Sequence, residues 1–125
     1  MIEFKHIHED ERGSIECFYI DGVEYTILTT KKGFARGGCI HPEHDEYAVI
    51  LEGIVFYYVM GQPVKQYIKG ENLLIKKNTP HYLLATTDAV TLEWGALPKE
   101  KDIKDKEFRE IVDNINRKRI KDDVQ

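Results

Sequence analysis

Residues 33–53 read GFARGGCIHPEHDEYAVILEG and contain a thiol, an imidazole and a carboxylate that could bind a metal together. Cys39 and His41 are two residues apart in a segment with strand character, so their side chains leave the same face of that strand. A turn at residues 42–45 separates them from Glu46, which opens the next predicted strand. A carboxylate there can meet the thiol and the imidazole across the sheet. The stretch therefore predicts a β structure with donor side chains on one face.

A second segment, residues 70–85 (GENLLIKKNTPHYLLA), offers a fourth donor. His81 follows an Asn-Thr-Pro turn at residues 78–80 and stands at the start of a predicted strand. A strand that begins there can run beside the first segment. We therefore predict that four donors come together: Cys39, His41, Glu46 and His81.

The rest of residues 1–98 is typical of a protein made of short strands. Residues 14–20 and 23–30 flank Asp21-Gly22, a pair that favours the type I′ turn of a β-hairpin. Many short strands at close spacing indicate a sandwich or a barrel. Further strand-like runs lie at 34–41, 46–51, 54–60, 64–68, 73–76, 81–86 and 89–97.

The pattern changes in residues 99–125. From Asp102 onward the apolar residues recur at the spacing that gives a helix one apolar face. They are Phe108, Ile111, Val112 and Ile115. We predict an amphipathic helix and tail, packed on the β domain of residues 1–98 or across a dimer interface.

Composition limits the classes of function. The 125 residues suit one domain, and 42% apolar with 32% charged residues is a globular balance. A net charge of −4 argues against non-specific nucleic-acid binding, and no apolar run is long enough to span a bilayer. The two cysteines are too few for a disulfide framework, and the N-terminus does not read as a secretory signal. We expect a cytoplasmic protein without nucleic-acid or membrane partners.

The first segment resembles the first motif of the cupin superfamily. That motif runs glycine, five residues, His-x-His, three or four residues, glutamate, six residues, glycine. Here Gly33, Cys39, His41, Glu46 and Gly53 occupy those places. Every interval fits, and the departure is a cysteine in place of the first histidine.

The second segment resembles the second cupin motif, in which Pro-x-Gly precedes the histidine. Gly70 and His81 match, whereas Lys76, Asn78 and Ala85 replace proline, glycine and asparagine. Asparagine for glycine is a mild change because asparagine tolerates the left-handed conformation. The resemblance implies an all-β fold: a cupin-type jelly-roll β-barrel with one C-terminal α-helix and its site inside the barrel.

Three interpretations of the donor set remain open. A set of Cys39, His41, Glu46 and His81 suits zinc or iron. If Cys39 is only a small buried residue, the other three form a two-histidine, one-carboxylate set with open positions, the pattern of non-heme iron oxygen chemistry. Alternatively, the polar groups satisfy one another without a metal. No organic cofactor is expected.

Two short elements resemble the sugar-nucleotide branch of cupins, the ketoisomerases and epimerases. They are Asp10-Glu11-Arg12-Gly13 and Arg36-Gly37-Gly38. The base of that branch is the histidine that Cys39 replaces, so the candidate catalytic residues are Cys39 and His41. For substrate binding we predict Arg36, Tyr47 and Trp94, with Trp94 in the barrel lumen because it shares strand parity with Val90 and Leu92.

These features together predict a metal-binding cupin that acts on a small polar metabolite. The preferred activity is isomerisation or epimerisation of a carbohydrate or sugar nucleotide. A non-heme iron dioxygenase and a non-catalytic small-ligand-binding cupin are the alternatives. We expect a homodimer, because such barrels commonly hide an open sheet edge by pairing.

Overall fold

The computed structural model describes residues 2–97 and 103–124, which form ten strands and one C-terminal helix. The predicted β-rich chain with a C-terminal helix is confirmed. The elements are β1 (Phe4–Asp10), β2 (Gly13–Ile20), β3 (Val23–Thr30), β4 (Ala35–Cys39), β5 (Glu46–Glu52), β6 (Ile54–Val59), β7 (Lys65–Ile68), β8 (Asn72–Ile75), β9 (His81–Ala85), β10 (Ala89–Trp94) and α1 (Lys106–Val124). The predicted helix start at Asp102 lies outside the described residues.

The strands form two antiparallel sheets. The larger sheet has the order β1-β2-β3-β10-β5-β8, and the smaller has the order β4-β9-β6-β7. No strand ladder joins the two sheets within residues 2–97 and 103–124, so hydrogen bonds do not close the expected barrel. The structure is a β-sandwich, because closure would require every strand to be paired on both sides.

The Asp21-Gly22 turn joins β2 and β3 as predicted. Asp21 has a φ of 51° and Gly22 a φ of 80°, the positive values that a type I′ turn requires. The last pair of the ladder is Ile20 with Val23. This confirmed hairpin supplies two central strands of the larger sheet.

In strand β5, the alternation of side chains directs a carboxylate into the interior of the sandwich. Ala48 and Ile50 face the core between the sheets and are fully buried, whereas Tyr47 lies on the other face and is 44% exposed. Glu46 has the same parity as Ala48, so its side chain points inward. The core that surrounds it is apolar and includes Val55, Tyr57, Ile75, Leu83 and Ala85.

The helix α1 packs on the smaller sheet at β4. Its apolar face, which includes Phe108 and Val112, contacts Ala35 and Tyr82. Gly38 permits this close approach, since a Cβ there would stand 2.8 Å from the Arg109 Cα, and its φ of 77° also favours glycine.

The C-terminal segment also satisfies backbone groups along the edge of β4. The Asn116 side chain accepts from the Ala35 N–H at 2.8 Å and donates to the Ala35 carbonyl at 3.0 Å. Arg109 donates to the Gly37 carbonyl, and the Asp105 N–H donates to the Gly38 carbonyl. The segment thus occupies a sheet edge that would otherwise need another strand.

In the part of the chain that the structure describes, no helix has the length and apolar character needed to cross a membrane.

Because Asn116 is buried and bonded to both polar groups of Ala35, we expect Asn116→Ala to lower the free energy of unfolding by about 1–3 kcal/mol. Urea denaturation measures the change. Asn114→Ala is the matched control on the exposed side of α1 and should cost no more than about 0.5 kcal/mol. Equal effects for the two variants would show that Asn116 does not anchor α1.

Candidate metal centre

Three buried side chains meet at one end of the sandwich. His41 follows β4, Glu46 begins β5 and His81 begins β9, and their exposed fractions are 4%, 3% and 6%. The β4–β9 ladder brings the two histidines together, because Cys39 pairs with His81. Three of the four predicted ligands are therefore neighbours.

The carboxylate lies between the two imidazoles. Glu46 Oε2 is 3.3 Å from His41 Nε2, and Glu46 Oε1 is 3.4 Å from His81 Nε2. One ligand atom from each residue lies within 4.8 Å of the other two. The ring centroids of His41 and His81 are 4.9 Å apart. An ion placed among these atoms would meet two nitrogens and one oxygen.

The orientation of His81 is set by a second contact. Its Nδ1 lies 2.9 Å from the Thr79 carbonyl, which can only accept, so Nδ1 carries the hydrogen. In the neutral ring Nε2 then bears a lone pair that faces the Glu46 carboxylate. That arrangement is unfavourable unless a proton or a cation lies between them. A backbone carbonyl behind the imidazole is also the usual second contact of a metal-bound histidine.

Two opposing influences act on Glu46. Burial alone would raise its pKa, but hydrogen bonds and electrostatic attraction from His41 and His81 lower the pKa to about 2. The carboxylate is therefore ionised at neutral pH although it is buried. The second ring nitrogen of His41, Nδ1, has no hydrogen-bond partner among the described residues. This buried cluster is therefore not a fully satisfied polar network.

These residues fit a divalent transition metal. Two imidazole nitrogens and one carboxylate oxygen form a donor set that zinc and non-heme iron accept, and three protein ligands leave positions open for other groups.

Cys39 is not a member of this three-residue group. Its thiol accepts a hydrogen bond from Lys104 Nζ at 3.6 Å, and its backbone pairs with Lys104. Burial raises the pKa of the thiol, and Lys104 offsets only part of that effect. A protonated thiol is a poor ligand and a poor base. The structure thus favours the interpretation that leaves His41, Glu46 and His81 as the donors.

A cavity of about 640 Å³ opens beside the three residues, a size typical of small-molecule sites. The residues that line it include Arg36, Cys39, His41 and Glu46. Arg36 and Cys39 are three residues apart, yet both face inward because the β4–β9 register shifts between Gly37 and Cys39.

Tyr47 and Trp94 are not in the cavity wall. They stack on each other at a centroid distance of 5.6 Å and an interplanar angle of 11°. Glu93 lines the cavity, so its neighbour Trp94 points to the opposite face of β10. The expected lumen position of Trp94 is therefore wrong, because the inward positions of β10 at this end are the polar ones.

Sequence reasoning missed several residues of the cavity wall. Glu93 could have been found, since an acidic residue in an apolar strand is a signal. Lys104 and Arg109 carried no signal, because their place at the cavity depends on how the C-terminal segment packs against β4.

Comparison with known proteins identifies the fold. No family model and no curated protein sequence matches the chain. Among solved structures it is similar to CapF bound to the inhibitor 3-isopropenyl-tropolone, with a TM-score of 0.62 and 20% identity over 82% of this chain and 34% of that one. A second CapF structure describes a capsular polysaccharide assembling protein from Staphylococcus aureus.

Two other solved structures match most of their own length. An RmlC-like cupin from Desulfovibrio desulfuricans has a TM-score of 0.55 and 25% identity over 76% of this chain and 81% of that one. KdgF from Halomonas sp. has a TM-score of 0.55 and 14% identity over 76% and 79%. The chain spans about a third of CapF. These similarities support the cupin superfamily through its fold, and the sequence resemblance points to the same superfamily.

We expect the wild-type protein to bind one divalent transition ion, and Glu46→Gln to lower its affinity at least tenfold, because an amide carries no charge for the ion. Metal titration followed by elemental analysis measures both. Glu52→Gln, an exposed change at the other end of β5, should leave the affinity unchanged. Cys39→Ser should also leave the metal affinity unchanged. A lower affinity in this variant would show that the thiol is a ligand.

Proposed function

We propose that this chain is a metal-binding cupin that acts on a small polar metabolite. One observation carries the proposal: His41 and Glu46, two members of the buried group that also contains His81, line a cavity large enough for a metabolite. The preferred reaction is isomerisation or epimerisation of a carbohydrate or sugar nucleotide, within a jelly-roll scaffold. We propose zinc or iron as the ion.

His41, Glu46 and His81 would hold the ion, and Arg36 would contact substrate elsewhere in the cavity. The chemistry supplied by such an ion is polarisation of a substrate carbonyl, which lowers the cost of removing a proton from the adjacent carbon. Burial holds the three side chains in place, and the Thr79 contact orients His81. Because His41 and Glu46 line the cavity, an ion that they held would be near a ligand bound there.

A second group must carry the proton. Cys39 keeps its own proton at neutral pH because burial raises its pKa, so a thiol at this position is better suited to donate than to accept. His41 Nε2 faces Glu46 within the metal group. Glu93 lines the same cavity outside the metal group, and we assign the base to it.

The comparisons support the substrate class only indirectly. CapF is described as assembling a capsular polysaccharide, and another neighbour is described as an RmlC-like cupin. The CapF inhibitor is a tropolone, whose adjacent carbonyl and hydroxyl oxygens form a bidentate pair. Such a compound is a suitable probe for a metal with open positions.

The donor set favours a second candidate function. Two histidines and one carboxylate with open positions are the arrangement of non-heme iron oxygenases. The same three residues would then hold iron, and the reaction would consume oxygen.

We expect the metal-loaded protein to exchange the hydrogen next to the carbonyl of a keto sugar nucleotide with solvent deuterium, which proton NMR measures. Glu46→Gln and Glu93→Gln should each reduce the rate at least a hundredfold, the first through the ion and the second through the base. Only Glu46→Gln should lose metal. Substrate-dependent oxygen uptake without exchange would favour the oxygenase, and tight binding without either reaction would favour a non-catalytic cupin.

We also propose that the chain forms a homodimer through the outer face of the larger sheet. An antiparallel sheet with one face in water normally carries polar residues on that face, but here the outer face carries large aromatic side chains. Aromatic rings stack in a row across the outer face, and Tyr47 is 44% exposed. The row contains Phe4, Phe18, Tyr25, Trp94 and Tyr47.

Sedimentation equilibrium tests this arrangement. Tyr47→Glu should shift a dimer to monomer, because a charge would be buried in the apolar interface. Met60→Glu, an equally exposed position after β6 in the smaller sheet, is the control and should not change the mass. A wild-type monomer, or equal effects of the two variants, would contradict the proposal.

A further inference from the structure

Arg36 is a buried cation whose described hydrogen bonds all go to neutral oxygens. The residue is 4% exposed and lines the cavity. Its guanidinium donates to Thr30 Oγ1 at 3.1 Å, to the Thr29 carbonyl at 2.9 Å and to the Ser14 carbonyl at 3.5 Å. None of the described carboxylates forms an ion pair with it. Burying a charge without a counter-ion is costly, so such a group indicates a missing anionic partner.

The surroundings of Arg36 add further positive charge. Burial disfavours its charge and Arg12 repels it, so the pKa of Arg36 is lowered to about 10, while Asp10 and Glu93 act in the opposite direction. Asp10 is already bound by Arg12 at 2.7 Å. The Asp-Glu-Arg-Gly and Arg-Gly-Gly elements of the sequence thus meet in space, and a Cβ on Gly13 would lie 3.3 Å from the Arg36 Nη2.

The C-terminal segment brings two more cations to the same cavity. Lys104 reaches it beside Cys39, and Arg109 reaches it while donating to the Gly37 carbonyl. The wall then holds five basic side chains against three acidic ones, in a chain whose net charge is −4. The basic residues are Lys5, Arg12, Arg36, Lys104 and Arg109, and the acidic residues are Glu24, Glu46 and Glu93.

We infer that the ligand of this cavity is an anion, a carboxylate or a phosphate, whose charge is bound by Arg36 together with Lys104 of the C-terminal segment. The inference rests on the proposed function in one respect: the cavity beside the metal group is the substrate site. It narrows the proposed substrates to charged ones and adds a binding role for Lys104, which lies outside the two cupin-like motifs. Arginine suits such a role because it keeps its charge when buried and forms strong charge-assisted hydrogen bonds to a carboxylate or a phosphate.

The test uses three probes that differ in one group. D-glucuronate carries a carboxylate, D-glucose 1-phosphate carries a phosphate, and D-glucose is uncharged. Calorimetric titration of the full chain at matched ionic strength should show binding of at least one charged sugar, at least tenfold tighter than glucose. The stronger of the two identifies the anionic group. Equal binding of all three sugars, or no binding of either charged one, would overturn the inference.

Variants assign the effect to residues. Arg36→Gln should lower the affinity for the charged sugar at least tenfold. Lys104→Gln, at an exposed position, should lower it about two- to fivefold. Lys106→Gln removes the same charge from the same segment outside the cavity wall and should have no effect. If Arg36→Gln does not fold, Lys104→Gln still tests the inference. A loss of affinity no larger than that of Lys106→Gln would contradict the role of the C-terminal segment in binding the anion.

Glu46→Gln separates this inference from the proposed function. Anion binding that persists in the variant, together with a wild-type protein that takes up no metal, would leave the anionic ligand established and the metal-dependent function wrong. Metal uptake without preference for the charged sugars would support the metal-dependent function and contradict the anionic ligand.

Discussion

The burial of an ionised carboxylate is the constraint on which this structure depends. Glu46 is 3% exposed and pairs with Ile75 of the apolar core, and such a charge is tolerable only beside positive or donor groups. His41 and His81 lie on either side of it and hold its pKa at about 2. The three residues come from separate segments, so the β4–β9 ladder and the inward parity of β5 must both form before the charge is compensated.

The C-terminal segment completes the sandwich at the strand that carries much of the site. It bonds to Ala35, Gly37 and Gly38 along the edge of β4, and the same strand presents Arg36 and Cys39 to the cavity. An edge occupied in this way is not available for pairing with another sheet. This is why the proposed contact between two copies uses the outer face of the larger sheet rather than the edge of β4.

Much of the site followed from residue types and spacing. The sequence predicts His41, Glu46 and His81 as ligands, because each stands beside a turn at the start or end of a strand and alternation sets the face. The same logic gave the hairpin at Asp21-Gly22. It failed for Trp94, because the apolar parity of β10 lies on the outer face, while Thr91 is buried and Glu93 lines the cavity. The spacing also predicts Cys39 as a fourth ligand. It cannot reveal that Lys104, far away in the sequence, donates a hydrogen bond to the thiol.

The sequence by itself determined the β-rich class, the C-terminal amphipathic helix and three candidate metal ligands, because these depend on local periodicity and turn chemistry. Only the tertiary structure decided that hydrogen bonds leave the two sheets open, that Tyr47 and Trp94 face outward, and that Lys104 and Arg109 line the cavity. Those outcomes depend on contacts between segments far apart in the chain. Their energies arise from packing and charge compensation, which no local pattern of residues specifies.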